Sequence, residues 1–352
     1  MGKIEKRAAG LVFAVMSALL FFGSLSDWRV SAQDQLHAPP PGGHKSSLKT
    51  RFLWHVKPLH IIGNVYFVGM SGDDFDAFLI TSPQGDFLID AGVPEEVRAN
   101  IEELGFKTSD VKYLLEEHAH NDHVLGLAQM KQWTGGKLLA MAGDVSPLED
   151  GGIHENFLPN MEGPVFPPVK VDDLLHDGQK IELGGVTVVA YLTPGHTPGC
   201  TTFTTEAEDH GKKYNVVIYG ACNPMNQPLI GNRDHPNIVQ DWVIQFKNLH
   251  RIHGDVLLGT TSYDEMSEKV EQTEKNPGTN AFVDPKAYDD FVAKTETTFF
   301  NQLKREIDTG AQFPINIPEG KTCPQDGRAC YNVYDLVMKC CSSIGARYVG
   351  KD

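Results

Sequence analysis

Residues 111–123 read VKYLLEEHAHNDH, an apolar strand-like run that passes directly into a cluster of histidine and carboxylate side chains. The cluster contains His118, His120, Asp122 and His123. Histidines two positions apart in an extended turn present their rings to one side, so His118 and His120 can share one tetrahedral zinc ion at about 2.0 to 2.1 Å per Zn–N bond. Asp122 and His123 then face the adjacent position. Because ligands bind at the carboxyl ends of strands in α/β proteins, the stretch predicts a metal site at a strand end.

A second histidine motif lies far downstream, in YLTPGHTPGC at residues 191–200. It places His196 in a tight Pro/Gly turn after another apolar run, where a rigid backbone holds the ring, and we expect this histidine to be the third ligand. The alternative is a solvent-exposed histidine-rich turn without metal. An isolated H-x-H pair is common, but H-x-H-x-D-H combined with a remote TPGHTPG is not, and this combination favours the metal site.

Short strands alternate with amphipathic helices on both sides of these motifs. Three β-type runs, NVYFVGM, DAFLITS and GDFLIDAG, precede the first helical pattern, PEEVRANIEELGF. The predicted helices cover residues 94–106, about 125–133, 241–253 and about 285–307. In the third of these, Trp242, Phe246, Leu249 and His253 share one face. The alternation predicts one α/β domain over residues 54–310.

Residues 1–32 have the composition of a cleavable secretion signal. The basic start MGKIEKR is followed by the apolar run Ala8–Leu25 and by the small-residue pattern Val30-Ser31-Ala32. The apolar run is at the lower length limit of a membrane-spanning helix, so a membrane anchor is the alternative. Cleavage predicts a secreted or periplasmic protein without stable membrane association.

The segments on either side of the domain have little apolar periodicity. Residues 33–53, which contain HAPPPGGHKSS, are predicted to be a flexible lead-in. Residues 311–352 form a cysteine-rich tail that contains Cys323, Cys330, Cys340 and Cys341. Because an exported protein meets an oxidising environment, we expect disulfides there, and zinc-knuckle-like ligation is the alternative.

The charge of the chain limits its partners. The formal net charge is −15 at pH 7, and the sequence has no cluster of lysine and arginine that offsets it. Nucleic-acid binding requires basic patches that neutralise phosphates. We therefore expect a small-molecule substrate and no nucleic acid, while the oligomeric state stays open.

The strand followed by HAHNDH and later by TPGHTPG resembles the metallo-β-lactamase superfamily, whose fold is a four-layer αβ/βα sandwich. The resemblance extends from about Trp54 to Leu303. Within the superfamily, LIDAGVPEEVRANIEELGFKTSDVKYLL, PPVKVDDLLHDGQKIELGGVTVVAYLTPGHTPGCTTFTT and NAFVDPKAYDDF are most similar to the third subclass of metallo-β-lactamases.

The resemblance implies a first zinc ion on His118, His120 and His196, with a hydroxide as the nucleophile that Asp122 orients. In the family, the residues that match Asp122 and His123 also bind a second zinc, which stabilises the anion left on the amide nitrogen after ring opening. Asp90 in FLIDAG is either a carboxylate that holds the ligands from behind or a structural turn residue.

The sequence departs from the family pattern at the second zinc site. The third subclass completes that site with a histidine just after the strand that matches DVLLG at 255–259, and Thr261 stands there in this chain. A neutral hydroxyl is a much weaker zinc ligand than an imidazole. Cys222 lies near the position where another subclass uses a thiolate ligand, so it is a candidate replacement. It is alternatively a buried small residue or a disulfide partner of Cys200.

Glyoxalase-type thioesterases, a neighbouring branch, carry a metal-bridging aspartate after a glycine at this strand end, where Ala221 follows Gly220 in this chain. We therefore expect an exported zinc hydrolase that opens the amide of β-lactams. The alternatives are a metallohydrolase acting on a lactone, another ester or a phosphodiester, and a non-catalytic zinc-binding member with a degraded second metal site.

Overall fold

The computed structural model describes residues 55–70, 75–153, 164–220, 227–232 and 235–308, together with the backbone of two short strands in the tail. The predicted signal, the predicted lead-in and Cys222 lie outside the described residues. The two tail strands, β13 (Ile315–Asn316) and β14 (Arg347–Tyr348), pair antiparallel.

Seven strands form the first sheet, in the order in which they occur along the chain. Strands β1 to β4 pair antiparallel, and β4 to β7 pair parallel. The interior strands are nearly continuous apolar runs because both faces of the sheet are covered. The strands are β1 (Leu59–Ile62), β2 (Val65–Phe67), β3 (Phe78–Ile80), β4 (Asp86–Ile89), β5 (Val111–Leu115), β6 (Lys137–Met141) and β7 (Asp173–Leu175).

Five strands form the second sheet, in the order β12-β11-β10-β9-β8. Their pairing is antiparallel except between β11 and β12, which run parallel. The strands are β8 (Gln179–Leu183), β9 (Val186–Leu192), β10 (Thr201–Asp209), β11 (Lys212–Ile218) and β12 (Val256–Leu258).

Most helices pack on the outer side of a sheet, whereas the helix at Tyr263–Lys275 contributes Met266 to the core between the sheets. The first, at Pro94–Glu103, begins with a proline at its start, where the missing N–H would have no helical partner. The helices are α1 (Pro94–Glu103), α2 (Asn121–Val124), α3 (Leu127–Thr134), α4 (Val145–Asp150), α5 (Ile238–Leu249), α6 (Tyr263–Lys275) and α7 (Ala287–Asp308), with a 3-10 helix at Thr108–Asp110.

Three apolar cores lie between the layers. The largest is formed by the facing sides of the two sheets, with Phe67 and Phe203 fully buried. A second core packs α1 and α3 on the first sheet, and a third packs α5 and α7 on the second sheet, where Trp242 stacks on Phe299 at 5.4 Å between ring centroids. The layers are therefore helix, sheet, sheet and helix, which confirms the predicted αβ/βα sandwich.

Two details differ from the sequence-based prediction. Helix α5 ends at Leu249, so the prediction that His253 shares its apolar face is wrong. The chain turns there to bury Ile252, and the His253 side chain is left 65% exposed. Helix α6 was not predicted, although Ser262 and Glu265 form the capping box that marks its start.

Within the described ranges, no helix combines the length and the apolar composition needed to cross a membrane.

The fold predicts that the stability of the protein depends strongly on the core between the sheets. Phe203→Ala is expected to lower the free energy of unfolding by about 3 to 5 kcal/mol, because the cavity cannot close between two sheets. Thr204→Ala is the matched control, since Thr204 lies on the same strand and points to the other face. Chemical denaturation of both variants in the presence of a chelator measures the difference. Equal losses in the two variants would contradict the assignment of this core.

Candidate metal centre

The loop after β5 carries three of the predicted site histidines. The chain leaves the strand at Leu115, and α2 begins at Asn121. His118, His120 and His123 are buried, with 1%, 7% and 4% of their surface exposed. This is the carboxyl end of a parallel strand that lies between β4 and β6, as the sequence predicts.

The structure brings His196 to this loop from the other sheet. Its ring centroid lies 4.5 Å from that of His118 and 4.5 Å from that of His120, and the last two are 4.6 Å apart. One nitrogen from each of the three rings falls within 4.8 Å of the others. This arrangement is a metal-binding group built from the three residues that the two sequence motifs indicate.

The electrostatics of His118 suit a metal ligand. Burial and then the neighbouring imidazoles hold the pKa of His118 well below its usual value, so the ring is neutral at neutral pH. Only the neutral ring has a lone pair for a metal. Its Nδ1 atom is buried without a hydrogen-bond partner among the described residues. The donor set and this orphaned nitrogen fit a bound divalent cation.

The turn that carries His196 is held closely against α5. Gly195 has φ of +143°, and a Cβ atom at this position would lie 2.9 Å from the ring of Trp242. Both conditions require glycine, because other residues rarely adopt this backbone conformation and have no room here. The glycine therefore fixes the backbone directly before the ligand residue.

Asp90 contacts the loop after β5 and the following His123 through its two carboxylate oxygens. Its Oδ1 atom accepts the backbone N–H of Glu117 at 2.8 Å, and its Oδ2 atom lies 2.5 Å from Nδ1 of His123. Its backbone adopts φ of +62°, an uncommon conformation for a residue other than glycine. Of the two readings of Asp90, the contacts match the carboxylate that supports the ligands.

The contact with Asp90 determines which nitrogen of His123 faces the site. Because Nδ1 is engaged, Nε2 is the atom left for a metal, and it lies 3.7 Å from Oδ2 of Asp122. Burial alone lowers the pKa of His123, but the carboxylates of Asp90 and Asp122 outweigh it and hold this pKa well above its usual value. A metal at Nε2 must therefore displace a firmly held proton.

Asp144 joins the two histidine-bearing segments, and the sequence motifs did not reveal it. This fully buried carboxylate accepts hydrogen bonds from Ala119 N at 3.0 Å, Thr197 Oγ1 at 2.8 Å and Gly199 N at 2.9 Å. Gly143 permits the close approach, since a Cβ atom there would lie 2.4 Å from the nitrogen of Gly199. No distinctive sequence signal marks Asp144, because it follows the apolar run KLLAM only after Ala142 and Gly143, as an ordinary turn residue would.

Two further carboxylates, Glu116 and Glu117, directly precede His118, and the sequence motifs indicate no role for them. Glu116 and Glu117 are 0% and 1% exposed. Burial raises the pKa of Glu116 well above its usual value, and the nearby carboxylates of Asp144 and Asp90 raise it further. One oxygen of Glu117 lies 3.7 Å from Nδ1 of His123. The loop that carries the histidines is thus accompanied by four buried carboxyl groups, those of Asp90, Glu116, Glu117 and Asp144.

Three other positions singled out in the sequence, Asp122, Thr261 and Cys222, do not belong to the three-histidine group. Asp122 keeps 26% of its side chain exposed, and its Oδ2 atom lies 3.7 Å from Nε2 of His123. Thr261 is half-buried after β12 and lines a surface depression with Glu265 and Lys269 of α6. Cys222 lies outside the described residues, and its role as a ligand stays a prediction. The thiol of Cys200 donates to the carbonyl of Gly220 at 3.3 Å.

Comparison with known proteins identifies the family. The family model of the metallo-β-lactamase superfamily matches residues 76–210. The native FEZ-1 metallo-β-lactamase from Legionella gormanii is 37% identical, with a TM-score of 0.68 and a match over 74% of this chain and 99% of that enzyme. This chain belongs to the metallo-β-lactamase superfamily. BJP-1, a subclass B3 metallo-β-lactamase of Bradyrhizobium japonicum, is 30% identical, with a TM-score of 0.65 over 75% of this chain and 99% of that protein. The predicted likeness to the third subclass is confirmed.

Curated relatives match over shorter regions. A probable metallo-hydrolase from Burkholderia pseudomallei is 34% identical over 118 residues, which are 32% of this chain and 37% of that protein. A hydroxyacylglutathione hydrolase from Acidiphilium cryptum is 26% identical over 136 residues, or 39% of this chain and 46% of that enzyme. The match therefore spans less than half of either curated relative. Together with the solved structures, these relatives identify this chain as a member of a superfamily of metallo-hydrolases.

The contacts of Asp144 predict that its replacement lowers the affinity for the metal ion, although no metal ligand is changed. Asp144→Asn keeps the shape but removes the charge and one acceptor, so the two histidine segments are held less firmly. We expect the dissociation constant of the first metal ion to rise about 10- to 100-fold. Competition with a chromophoric chelator measures it, with Asp173→Asn as the control because that carboxylate is exposed on β7. An unchanged affinity in Asp144→Asn would contradict this role.

Proposed function

We propose that this chain is a zinc-dependent hydrolase that opens the amide bond of β-lactams. The observation that carries the proposal is the convergence of His118, His120 and His196 at one buried point, in a chain that covers 99% of a metallo-β-lactamase at 37% identity. Imidazole ligands in a three-residue set are typical of catalytic zinc, which keeps its fourth position open. When bound, zinc acidifies water to provide a nucleophile at neutral pH and polarises the carbonyl under attack.

The side chains of the protein would bind the cation, fix its ligands and orient the attacking water. His118, His120 and His196 hold the cation, and the hydrogen bonds of Asp144 keep their two segments at a fixed spacing. We assign the carboxylate of Asp122, which lies 3.7 Å from Nε2 of His123, the role of orienting the attacking water and accepting its proton. Hydrogen bonding to a positioned carboxylate is a common way to guide such a proton. Asp90 keeps the ring of His123 turned toward Asp122 through its contact with Nδ1.

Thioester hydrolysis is the second candidate function, and the similarity to a hydroxyacylglutathione hydrolase favours it. Against it stands Ala221 after Gly220, where the resemblance to glyoxalase-type thioesterases requires an aspartate that bridges two metal ions. A non-catalytic zinc-binding member is the further alternative, motivated by Thr261. We favour β-lactam hydrolysis because solved metallo-β-lactamases such as FEZ-1 and BJP-1 match this chain over nearly their full length.

Activity measurements separate these functions. The purified protein is expected to hydrolyse a chromogenic cephalosporin and a carbapenem, and a zinc chelator is expected to abolish the turnover. His118→Ala is expected to lower kcat/KM at least about 100-fold, since a lost ligand costs no less than a lost supporting contact. His210→Ala is the control, because that exposed histidine lies on the turn between β10 and β11. Turnover of a hydroxyacylglutathione thioester but of neither β-lactam would assign the second function instead.

We further propose that the chain is exported and that residues 1–32 are removed. The proposal is supported by the basic start, the apolar run and the small residues before Gln33. Expression of the full chain in a Gram-negative host is expected to give a periplasmic protein whose amino terminus, determined by sequencing, is Gln33. Ala32→Glu is expected to block cleavage, because the site requires small residues. An intact terminus in the native chain would contradict removal, and retention in membranes would support the anchor.

A further inference from the structure

Strand β8 is the outer strand of the second sheet, and one of its sides has no neighbouring strand. In the sheet order β12-β11-β10-β9-β8 it pairs with β9 alone. The edge strands on the opposite side of the molecule are covered, since Val256 of β12 bridges to Val283 and the carbonyl of Ile61 in β1 accepts the side-chain amide of Asn280 at 3.0 Å. Covering an edge in this way protects it from other chains. Among the described residues, none pairs with the outer side of β8.

The hairpin between β8 and β9 determines which backbone groups face this free side. Leu183 and Val186 flank a turn of two glycines, residues 184–185, whose φ angles are +58° and +87°. In such a turn the two flanking residues exchange hydrogen bonds, and bonded pairs then alternate with non-bonded pairs along the strands. Every second residue back from Leu183 is therefore bonded to β9. The residues between them, Lys180 and Glu182, direct their N–H and C=O groups outward.

These two outward residues carry opposite charges on either side of Ile181. The side chains of Lys180 and Glu182 are exposed, and neither forms an ion pair in the part of the chain that the structure describes. Ile181 is buried in the core between the sheets. If a second copy pairs antiparallel about a two-fold axis at Ile181, each Lys180 lies opposite Glu182 of the other copy. The order Lys-Ile-Glu is thus complementary to itself.

The neighbouring registers lack this complementarity. Because only every second residue has outward backbone groups, the pairing can change only in steps that keep Lys180 and Glu182 at bonded positions. The next such register in one direction places Lys180 opposite Lys180, and the next in the other places Glu182 opposite Glu182. Like charges directly opposite each other on two strands are unfavourable. The backbone and the charges therefore select the same register.

Apolar surface lies beside the free edge. A depression of about 500 Å³ is lined by residues of β5 to β8, which include Leu139, Leu174 and Ile181. Leu174 is 47% exposed and is one of two large apolar side chains that are exposed among the described residues. A copy of the chain paired along β8 lies next to this depression, and removing such surface from water favours association.

We propose that β8 is a dimerisation edge, through which two copies of the chain pair antiparallel about Ile181. The five-stranded second sheets of the two copies then form one continuous sheet. The interface is isologous, because the same residues contribute from both copies. Four backbone hydrogen-bonding groups on each copy find partners, and two cross-strand ion pairs fix the register. None of the three site histidines lies on β8, so the dimer forms with or without metal.

Sedimentation velocity over a series of protein concentrations tests the proposal. The purified chain is measured with a reducing agent present, so that disulfide-linked species do not contribute. The variants are Lys180→Glu, Glu182→Lys and the double exchange Lys180→Glu with Glu182→Lys. Lys294→Glu is the matched control, because Lys294 is exposed on α7 and its replacement changes the net charge as much as Lys180→Glu does.

We expect the native chain to form a dimer that dissociates on dilution. Each single exchange turns both ion pairs into like-charge pairs and should raise the dissociation constant of the dimer at least about 10-fold. The double exchange restores opposite charges in the same register, so its dissociation constant should return to within about threefold of the native value. Lys294→Glu should dimerise as the native chain does. Hydrogen exchange at the amides of Lys180 and Glu182 should slow as the protein concentration rises.

Three results would overturn the proposal. They are a native chain that stays monomeric at the highest concentration at which it is soluble, a dimer that neither single exchange weakens, and a double exchange that dissociates as readily as the single ones. The measured quantity is the mass of the particle. A dimer without hydrolysis of β-lactams would therefore contradict the proposed function only, and an active monomer would contradict this inference only.

Discussion

The buried carboxylate of Asp144 is the interaction on which the arrangement of the site depends. It accepts hydrogen bonds from the loop after β5 in the first sheet and from the turn after β9 in the second sheet. The three histidines come from these same two segments, so their spacing depends on how firmly the sheets are joined at this point. Charge-assisted hydrogen bonds to a carboxylate are stronger than those between neutral groups, which suits a contact that must bridge two layers.

Asp90 and Asp144 have parallel roles on the two sides of β5. Each follows a neighbouring strand of the first sheet, and each accepts a backbone N–H of the histidine loop. The parallel pairing of β4, β5 and β6 places all three carboxyl ends at one edge, where loops meet. The site is therefore held by the sheet rather than by the loop itself, and Gly195 extends this rigidity to the turn of the second sheet.

Much of this could be predicted from the sequence because the ligands occur in dense, unusual motifs. HAHNDH after an apolar strand and TPGHTPG after another were sufficient to bring His118, His120 and His196 together. Asp144 could not be recognised in the same way, because a single aspartate after a strand resembles any turn residue. Glu117 looks like a surface glutamate beside Glu116, and only the packing of the two sheets shows that both are buried.

The helices that differ from the sequence-based prediction, α5 and α6, do so because of tertiary packing. Periodicity places His253 on the face of α5, but burial of Ile252 and the start of β12 end the helix earlier. The capping box at Ser262 marked α6, yet that helix has few buried apolar positions and so gave a weak periodic signal. Elements with continuous apolar patterns, such as β5 and β9, were predicted with their observed bounds.

The most direct test of the account is an anomalous diffraction map at the zinc absorption edge from crystals of the purified protein. The account predicts a strong peak between the side chains of His118, His120 and His196, with each of the three rings directing one nitrogen to it. A zinc-replete crystal without a peak at this point, or with its zinc bound elsewhere on the chain, would contradict the central claim.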